Sequence, residues 1–431
     1  MTSSLRNYQL EAVEKCVSFH KKKKNSQLMV LPTGTGKTRT FCAIIKELNY
    51  KTLIISHTSQ LRKQIEIECK KHCPDQKVIS KTIQSCKSKA ALQEIDSYKF
   101  DMLIIDEAHH AATDSYQNII KYFINGRKLV LGCTATPFRL DKQSIDHIFP
   151  NLICKKTILE MVESGFLCDI KGYRVRTNLN LDDVHCFKGD YNIRQLSSIV
   201  NSVNRNNIIL STYKQILLGK KTLIFCVDIA HCEEVANLFT EHKISAQSIH
   251  GRLHKDEQFT RLRNFKDSIT TVLTTCQILT EGFDEPSVEA LMICRPTKSA
   301  GLYIQMVGRG LRTFPGKKHC EIVELTDNAH DICSFESLIT EKTIEKFFAK
   351  TEGITSLKKL KELIEIQEED IVIEEKNFLT KWDKKHISPF QKKYMYDHNI
   401  PFIEPISYEI ADLIISNYQN REKYGFDNKK N

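Results

Sequence analysis

Short apolar runs recur along the chain, separated by segments in which apolar positions follow helical spacing. Residues 27–31, 52–56, 101–105 and 128–132 are apolar and rich in β-branched side chains, as expected of parallel strands buried on both faces. Between them, Arg39 to Asn49 and Gln60 to Lys71 have the spacing of amphipathic helices. Residues 221–227, 244–249, 271–275, 288–293 and 320–325 repeat the scheme. Strands alternating with helices predict an α/β fold with two doubly wound parallel sheets. The crossover between them is expected near Glu163-Ser164-Gly165-Phe166, and segment 177–212, rich in Asn and Ser, reads as a loop followed by helices. The pattern changes near residue 343. Leu357, Leu360, Leu363 and Ile364 lie at helical spacing, an acidic stretch runs from Glu365 to Glu375, and residues 390–425 predict a helical pair with Ser407 as a cap. The expected division is 1–165, 166–342 and a mainly helical accessory region, 343–431.

The first apolar run leads directly into Leu31-Pro32-Thr33-Gly34-Thr35-Gly36-Lys37-Thr38. Glycines at 34 and 36 permit the positive-φ turns that aim successive N–H groups at phosphate oxygens. Residues 33–38 are thus candidates for binding a nucleoside triphosphate: Lys37 for the β- and γ-phosphates, and the Thr38 hydroxyl for Mg²⁺. The placement between a strand and a helix supports the motif, although Leu31 stands where Gly or Ala is usual. A second apolar run ends in Asp106-Glu107. At the carboxyl end of a parallel strand these carboxylates would face the ligand crevice. Asp106 is then a candidate Mg²⁺ ligand, and Glu107 would orient or deprotonate the attacking water. Far down the chain, Gln305-Met306-Val307-Gly308-Arg309-Gly310-Leu311-Arg312 offers arginines spaced to reach the same phosphates from another domain.

In this order, the motifs resemble those of the superfamily 2 helicases and translocases, over about the first three quarters of the chain. Leu5-Arg6-Asn7-Tyr8-Gln9 looks like the Q motif, which implies that Gln9 reads the adenine edge and Arg6 stacks on the base. Residues 32–38 match motif I. His57 and Thr58, in Ser56–Leu61, look like motif Ia, and Thr82 and Gln84, in Lys81–Ser85, like motif Ib; both line the nucleic-acid track in the family. Asp106 to His109 match motif II in its DEAH form. Thr134 and Thr136 fall in motif III, which couples hydrolysis to movement. Residues 223–226 resemble motif IV, Thr280, Gly282 and Asp284 lie in motif V, and Gln305, Gly308, Arg309 and Arg312 match motif VI. The resemblance implies two RecA-like domains with ATP and Mg²⁺ between them, Gln305 in the catalytic set, and Arg309 and Arg312 as arginine fingers. Gly282 and Asp284 would link nucleotide state to the grip on the strand. The form of motifs III and VI, with Gly189-Asp190-Tyr191 ahead of motif IV, resembles the XPB-like branch, which includes duplex-DNA translocases and restriction-enzyme motor subunits. Duplex or forked DNA is the expected partner by resemblance, with RNA as the alternative polymer. The competing readings are a motor subunit inert without a nuclease or specificity partner, an RNA helicase, and an ATPase-dead scaffold. Retention of Glu107 and both arginines argues against the last.

Lys+Arg 63 against Asp+Glu 53 gives a net charge of +10, suited to phosphate-backbone partners without singling them out. No apolar run approaches the roughly twenty residues that span a bilayer. The start, Met-Thr-Ser-Ser-Leu-Arg, has neither a secretory apolar segment nor an Arg-rich presequence. A soluble cytoplasmic or nuclear protein is expected, with any protein partner taken through the C-terminal region. The fifteen cysteines include no Cys-x-x-Cys pair. Cys69, His72 and Cys73, with Cys86, come nearest to a ligand set but lack zinc-knuckle spacing, so reduced, buried thiols are expected.

Overall fold

The computed structural model describes residues 5–136, 145–181, 183–187, 189–276, 278–279, 283–328 and 373–378. In the first half, β1 (Ser26–Val30), β2 (Thr52–Ser56), β3 (Val78–Thr82), β4 (Met102–Asp106), β5 (Leu129–Thr134) and β6 (Asn151–Lys155) form one sheet, in the order β3-β2-β4-β5-β1-β6. Every pairing in it is parallel. β2 and β4 are buried along their whole length, because helices cover both faces. Met29, Ile54, Ile104 and Leu131 pack on one side, and Leu28, Leu53, Ile55, Leu103 and Ile105 on the other.

The second half contributes β7 (Asp169–Asn180), a short antiparallel ribbon of β8 (Cys186–Phe187) and β9 (Asp190–Tyr191), then β10 (Thr222–Phe225), β11 (Ala246–Ile249), β12 (Val272–Thr275), β13 (Ala290–Ile293) and β14 (His319–Asn328). A later strand, β15 (Ile373–Phe378), completes the sheet order β11-β12-β10-β13-β14-β7-β15. All pairings are parallel except that of β15, which lies antiparallel on β7. One apolar cluster runs from Met29 and Leu131 through Met161, Leu167 and Leu311 to Leu223 and Leu291, so the cores of both sheets are continuous.

The apolar runs gave the central strands. Segment 177–212 departs from the expected loop at its start. β7 extends to Asn180, and helices Ile193–Val200 and Val203–Thr212 follow the ribbon. Asp190 in that ribbon has a definite job. Its carboxylate accepts from Thr297 Oγ1 and the Lys298 amide, each at 2.9 Å, and pairs with Arg295 at 3.3 Å. It thereby braces the entry to helix Ala300–Val307, which carries Gln305. The helices expected at 356–367 and 390–425 lie outside the described residues. Among the described residues, no helix is long and apolar enough to cross a membrane.

Candidate nucleotide site

The carboxyl ends of β1, β2, β3, β4 and β5 deliver, in turn, the phosphate loop, His57-Thr58, Thr82, Asp106-Glu107 and Thr134-Thr136. Parallel strands put these segments on one rim of the sheet, where ligands of open α/β folds bind. In the loop, Gly34 has φ +85° and Gly36 φ +88°, angles that side-chain-bearing residues adopt only with strain. Helix Lys37–Leu48 starts directly after Gly36, buries Phe41, Ile44 and Ile45, and stops at Asn49 in a left-handed turn. Its N-terminus follows directly on the loop, a favourable setting for an anion.

The residues expected to contact adenine hold the loop from behind. The Gln9 side-chain amide donates to the carbonyls of Thr35 at 3.3 Å and Gly36 at 3.4 Å, while its oxygen accepts from the Arg6 amide at 2.9 Å. Two residues missed in the sequence join them. The Tyr8 hydroxyl also donates to the Thr35 carbonyl. Phe166 lies 4.4 Å from the Arg6 guanidinium carbon and meets the Tyr8 ring edge-on at 5.4 Å. The signal for Phe166 was its place at the crossover, where a side chain from the linker can reach the first motif.

Lys37 Nζ stands 3.9 Å from Glu107 Oε1, and both side chains are almost fully buried. Glu107 has a left-handed backbone, φ 53°, which turns its carboxylate toward His109 Nδ1 at 3.4 Å. Burial pushes the Glu107 pKa up, yet Lys37, His109 and Arg309 together outweigh it and hold the carboxyl below its ordinary value. The group therefore stays ionised. Asp106, at the end of β4, is also buried.

His109 ties three motifs together. Its Nδ1 is 3.2 Å from Thr134 Oγ1, which in turn donates to the Thr136 carbonyl at 2.9 Å. Its Nε2 is 3.5 Å from Gln305 Nε2 in the second half. His110, a further residue the sequence reading passed over, packs against the His109 ring at 4.1 Å and stacks on His57 at 4.4 Å. The two histidines after Glu107 thus reach both motif VI and motif Ia.

From the second half, Arg309 is buried, donates to the Phe283 carbonyl at 2.7 Å, and acts on Glu107 through charge. Arg312 pairs with Asp284 and lies across Gly34, where a Cβ would come within 3.0 Å of its Cγ. Burial lowers the Arg312 pKa to about 10, which leaves it charged at neutral pH. Thr33 Oγ1 is buried with no partner among the described residues and faces Gly308. Thr58 caps helix Ser59–His72, accepting from the Leu61 amide at 3.2 Å, and Thr82 caps the following turn while Gln84 is exposed. Thr280 and Gly282 lie outside the described residues.

These features bring residues of both halves together at one candidate nucleotide site, and the comparisons place the chain as follows. Residues 2–139 match the family of the type III restriction enzyme res subunit, and residues 204–314 match the helicase conserved C-terminal domain. The chain belongs to the superfamily 2 helicases. It is 33% identical over 353 residues to IRC3 of Saccharomyces cerevisiae, assigned as an ATP-dependent helicase, covering 74% of this chain and 51% of that protein. It is 25% identical over 360 residues to the DNA 3'-5' translocase XPB2 of Sulfurisphaera tokodaii, covering 72% of this chain and 78% of that protein. The type I restriction enzyme EcoAI endonuclease subunit of Escherichia coli is 25% identical over 363 residues, 72% of this chain and 44% of that one. These relatives are consistent with an XPB-like branch related to restriction motors. Among solved structures, the fold is shared with a fragment assigned to the HsdR subunit of a type I restriction enzyme from Vibrio vulnificus YJ016. The TM-score is 0.60 at 23% identity, over 75% of this chain and 64% of that one. It is also shared with the Type ISP restriction-modification enzyme LlaBIII bound to DNA, at TM-score 0.58 and 19% identity, over 77% and 28% of the respective chains. The match spans about half the length of the yeast relatives, 51% of IRC3 from Saccharomyces cerevisiae and 57% of the irc3 protein from Schizosaccharomyces pombe.

Proposed function

We propose that the chain is an ATP hydrolase that couples turnover to movement on DNA, duplex or forked, with residues 1–165 and 166–342 as its two motor domains. The observation that carries this is the meeting of Gln305, Arg309 and Arg312 from one half with His109, Glu107 and Gly34 from the other. A nucleotide there touches both halves, so its hydrolysis changes how they fit together.

The roles follow from the chemistry of each group. Lys37 exchanges Glu107 for phosphate oxygens, and the backbone of residues 33–36 cradles the phosphates. Asp106 and Thr38 supply the hard oxygen donors that Mg²⁺ prefers, and a bound Mg²⁺ would neutralise phosphate charge. Glu107 is held below its ordinary pKa by Lys37, His109 and Arg309 before nucleotide binds; once Lys37 turns to the phosphates, the ionised carboxylate is free to orient or deprotonate the attacking water. Arg309 and Arg312 face the charge that develops on the transferred phosphoryl group. Gly282 and Asp284, with Thr280, couple the nucleotide to the strand, and His57, Thr58, Thr82 and Gln84 lie along the track.

Kinship with restriction-enzyme subunits also favours a motor that works with a nuclease or specificity partner, received through residues 343–431. The Schizosaccharomyces pombe relative carries a mitochondrial designation, so organelles join the cytoplasm and nucleus as candidate compartments. The decisive experiment measures ATP turnover of the purified chain alone, with duplex DNA, with single strands and with RNA. Stimulation greatest with duplex or forked DNA is expected; turnover indifferent to every polymer overturns the motor reading.

A further inference from the structure

The sequence placed Cys69 and Cys73 near a would-be ligand set, and the fold adds a member from elsewhere. Cys42 lies in the second turn of helix Lys37–Leu48, the helix that begins with the phosphate-binding lysine. Cys69 lies in the last turn of Ser59–His72, and Cys73 caps that helix, its amide donating to the Cys69 carbonyl at 2.8 Å. The three sulfurs converge between the two helices, all within 4.8 Å of one another, with Cys42 and Cys69 at 3.7 Å. His72 is turned toward Glu68 Oε2, at 3.2 Å, and Cys86 is not part of the group.

Two core sulfurs in contact are ordinary packing. Three that close a triangle are not explained that way, since apolar burial does not require thiols to face one another. Metal–sulfur bonds of about 2.3 Å put the corners of a planar three-sulfur site about 4 Å apart, inside the observed range. The thiols are 0%, 6% and 2% exposed, which excludes water from the centre.

We propose that Cys42, Cys69 and Cys73 form a binding site for one soft monovalent d¹⁰ ion, Cu(I). Thiolate ligands select Cu(I) or zinc. Structural zinc takes four ligands, and among the described residues no fourth His, Cys, Asp or Glu atom joins these three. Binding forms three Cu–S bonds, to Cys42, Cys69 and Cys73, and the S–H protons displaced from the thiols leave to solvent. No electron is transferred, and affinity rises with pH as those protons become easier to lose. The ion cross-links the phosphate-loop helix to the helix that follows the motif Ia segment, so loading stiffens the base of the nucleotide site.

The test titrates Cu(I) anaerobically into the reduced full chain against bathocuproine disulfonate, with a parallel Zn(II) series. The comparison is Cys69→Ser with Cys73→Ser, and the control is Cys154→Ser with Cys186→Ser, cysteines outside the cluster. One competitor-resistant Cu(I) per chain is expected in the wild type and control, with apparent affinity at least tenfold weaker in the cluster variant. X-ray absorption of the copper-loaded wild type, which does not depend on any variant folding, should show three sulfur neighbours. Equal copper retention by the cluster variant, or a first shell containing nitrogen or oxygen, overturns the proposal. Zinc held by these thiols in preference to copper overturns the choice of ion.

Discussion

Gly308→Ala tests whether the two halves meet as described. Gly308 ends helix Ala300–Val307 with φ −57° and ψ −17°, a right-handed conformation that alanine adopts without strain. Helix propensity alone favours alanine there by up to about 1 kcal/mol. Space opposes it. A Cβ at 308 would stand 2.8 Å from Thr33 Cβ and 3.2 Å from Thr33 Oγ1. Thr33 cannot give way cheaply, because the contact is at its branch point and its backbone is fixed between Pro32 and the left-handed turn at Gly34. Overpacking of this kind costs typically 1–3 kcal/mol. The gain, reduced by a 3.1 Å approach of the new Cβ to the Ile304 carbonyl, acts within the second half, whereas the larger cost, at Thr33, falls on its approach to the phosphate loop. Thermal unfolding should therefore shift little, while ATP turnover falls roughly 5- to 150-fold, as 1–3 kcal/mol at the barrier requires. Steady-state phosphate release, beside a melting curve of the same preparation, makes the distinction. Turnover within twofold of wild type would refute the assembled site. Lost turnover with an equally collapsed melting curve would refute the assignment of the cost to the contact between halves.

Lys37→Ala should weaken ATP binding, whereas Glu107→Gln should keep ATP and DNA bound yet abolish turnover; nucleotide binding and phosphate release measured on each variant separate the two. Arg309→Ala and Arg312→Ala should each lower kcat by about 10³ if they stabilise transition-state charge, and near-normal kcat in either variant removes that residue from the role. Because the Glu107 pKa is depressed, its contribution to stability is present above its unfolded pKa of roughly 4.3 and is lost only as pH falls through the lower folded value. The wild-type profile of kcat/KM against pH, which reports the free enzyme, should accordingly show no Glu107 limb between pH 5 and 7, and in Lys37→Ala, where burial acts against less compensation, a carboxyl limb should move upward. His110→Ala should reduce the stimulation of turnover by DNA more than basal turnover, and His110→Phe, which keeps a ring against His57, should restore much of it; equal loss of both activities in both variants would exclude a positioning role.

Legibility in the sequence followed burial. Strands covered on both faces, such as β2 and β4, are unbroken apolar runs and were placed within a residue or two. β3, β6 and β7 were missed because each writes its partners into only part of its sequence. β3 is half-buried throughout, and β6 leaves Leu152 40% exposed while burying Ile153. β7 hides Tyr173, Val175 and Thr177 at alternate positions between charged residues. Its alternation is a strand signal of period two, diluted by the lysine and arginines at 171, 174 and 176. β15 offered less still, since Glu374, Glu375 and Lys376 read as an acidic surface until pairing with β7 supplies the reason for extended backbone.

The site divides along a similar line. Residues that chemistry restricts to a few types at fixed spacing, namely Gly34, Gly36, Lys37, Asp106, Glu107, Arg309 and Arg312, could be singled out as candidates because few sequences satisfy those constraints by chance. Residues that act by meeting something distant were not. Phe166 matters because Arg6 lies over it, His110 because His57 does, and Cys42 because Cys69 and Cys73 do. No local pattern marks them; the sheet order alone brings β2 beside β4 and so His57 beside His110. That adjacency has a mechanical consequence. If motif Ia holds a strand as proposed, a push on His57 would pass through its stack on His110 to His109, which contacts both the Glu107 carboxylate and Gln305. The same few rings that adjoin the Glu107 carboxylate therefore stand between the proposed DNA track and the second half. On this reading, DNA stimulates hydrolysis by settling Glu107 and Gln305 together rather than by supplying any catalytic group of its own.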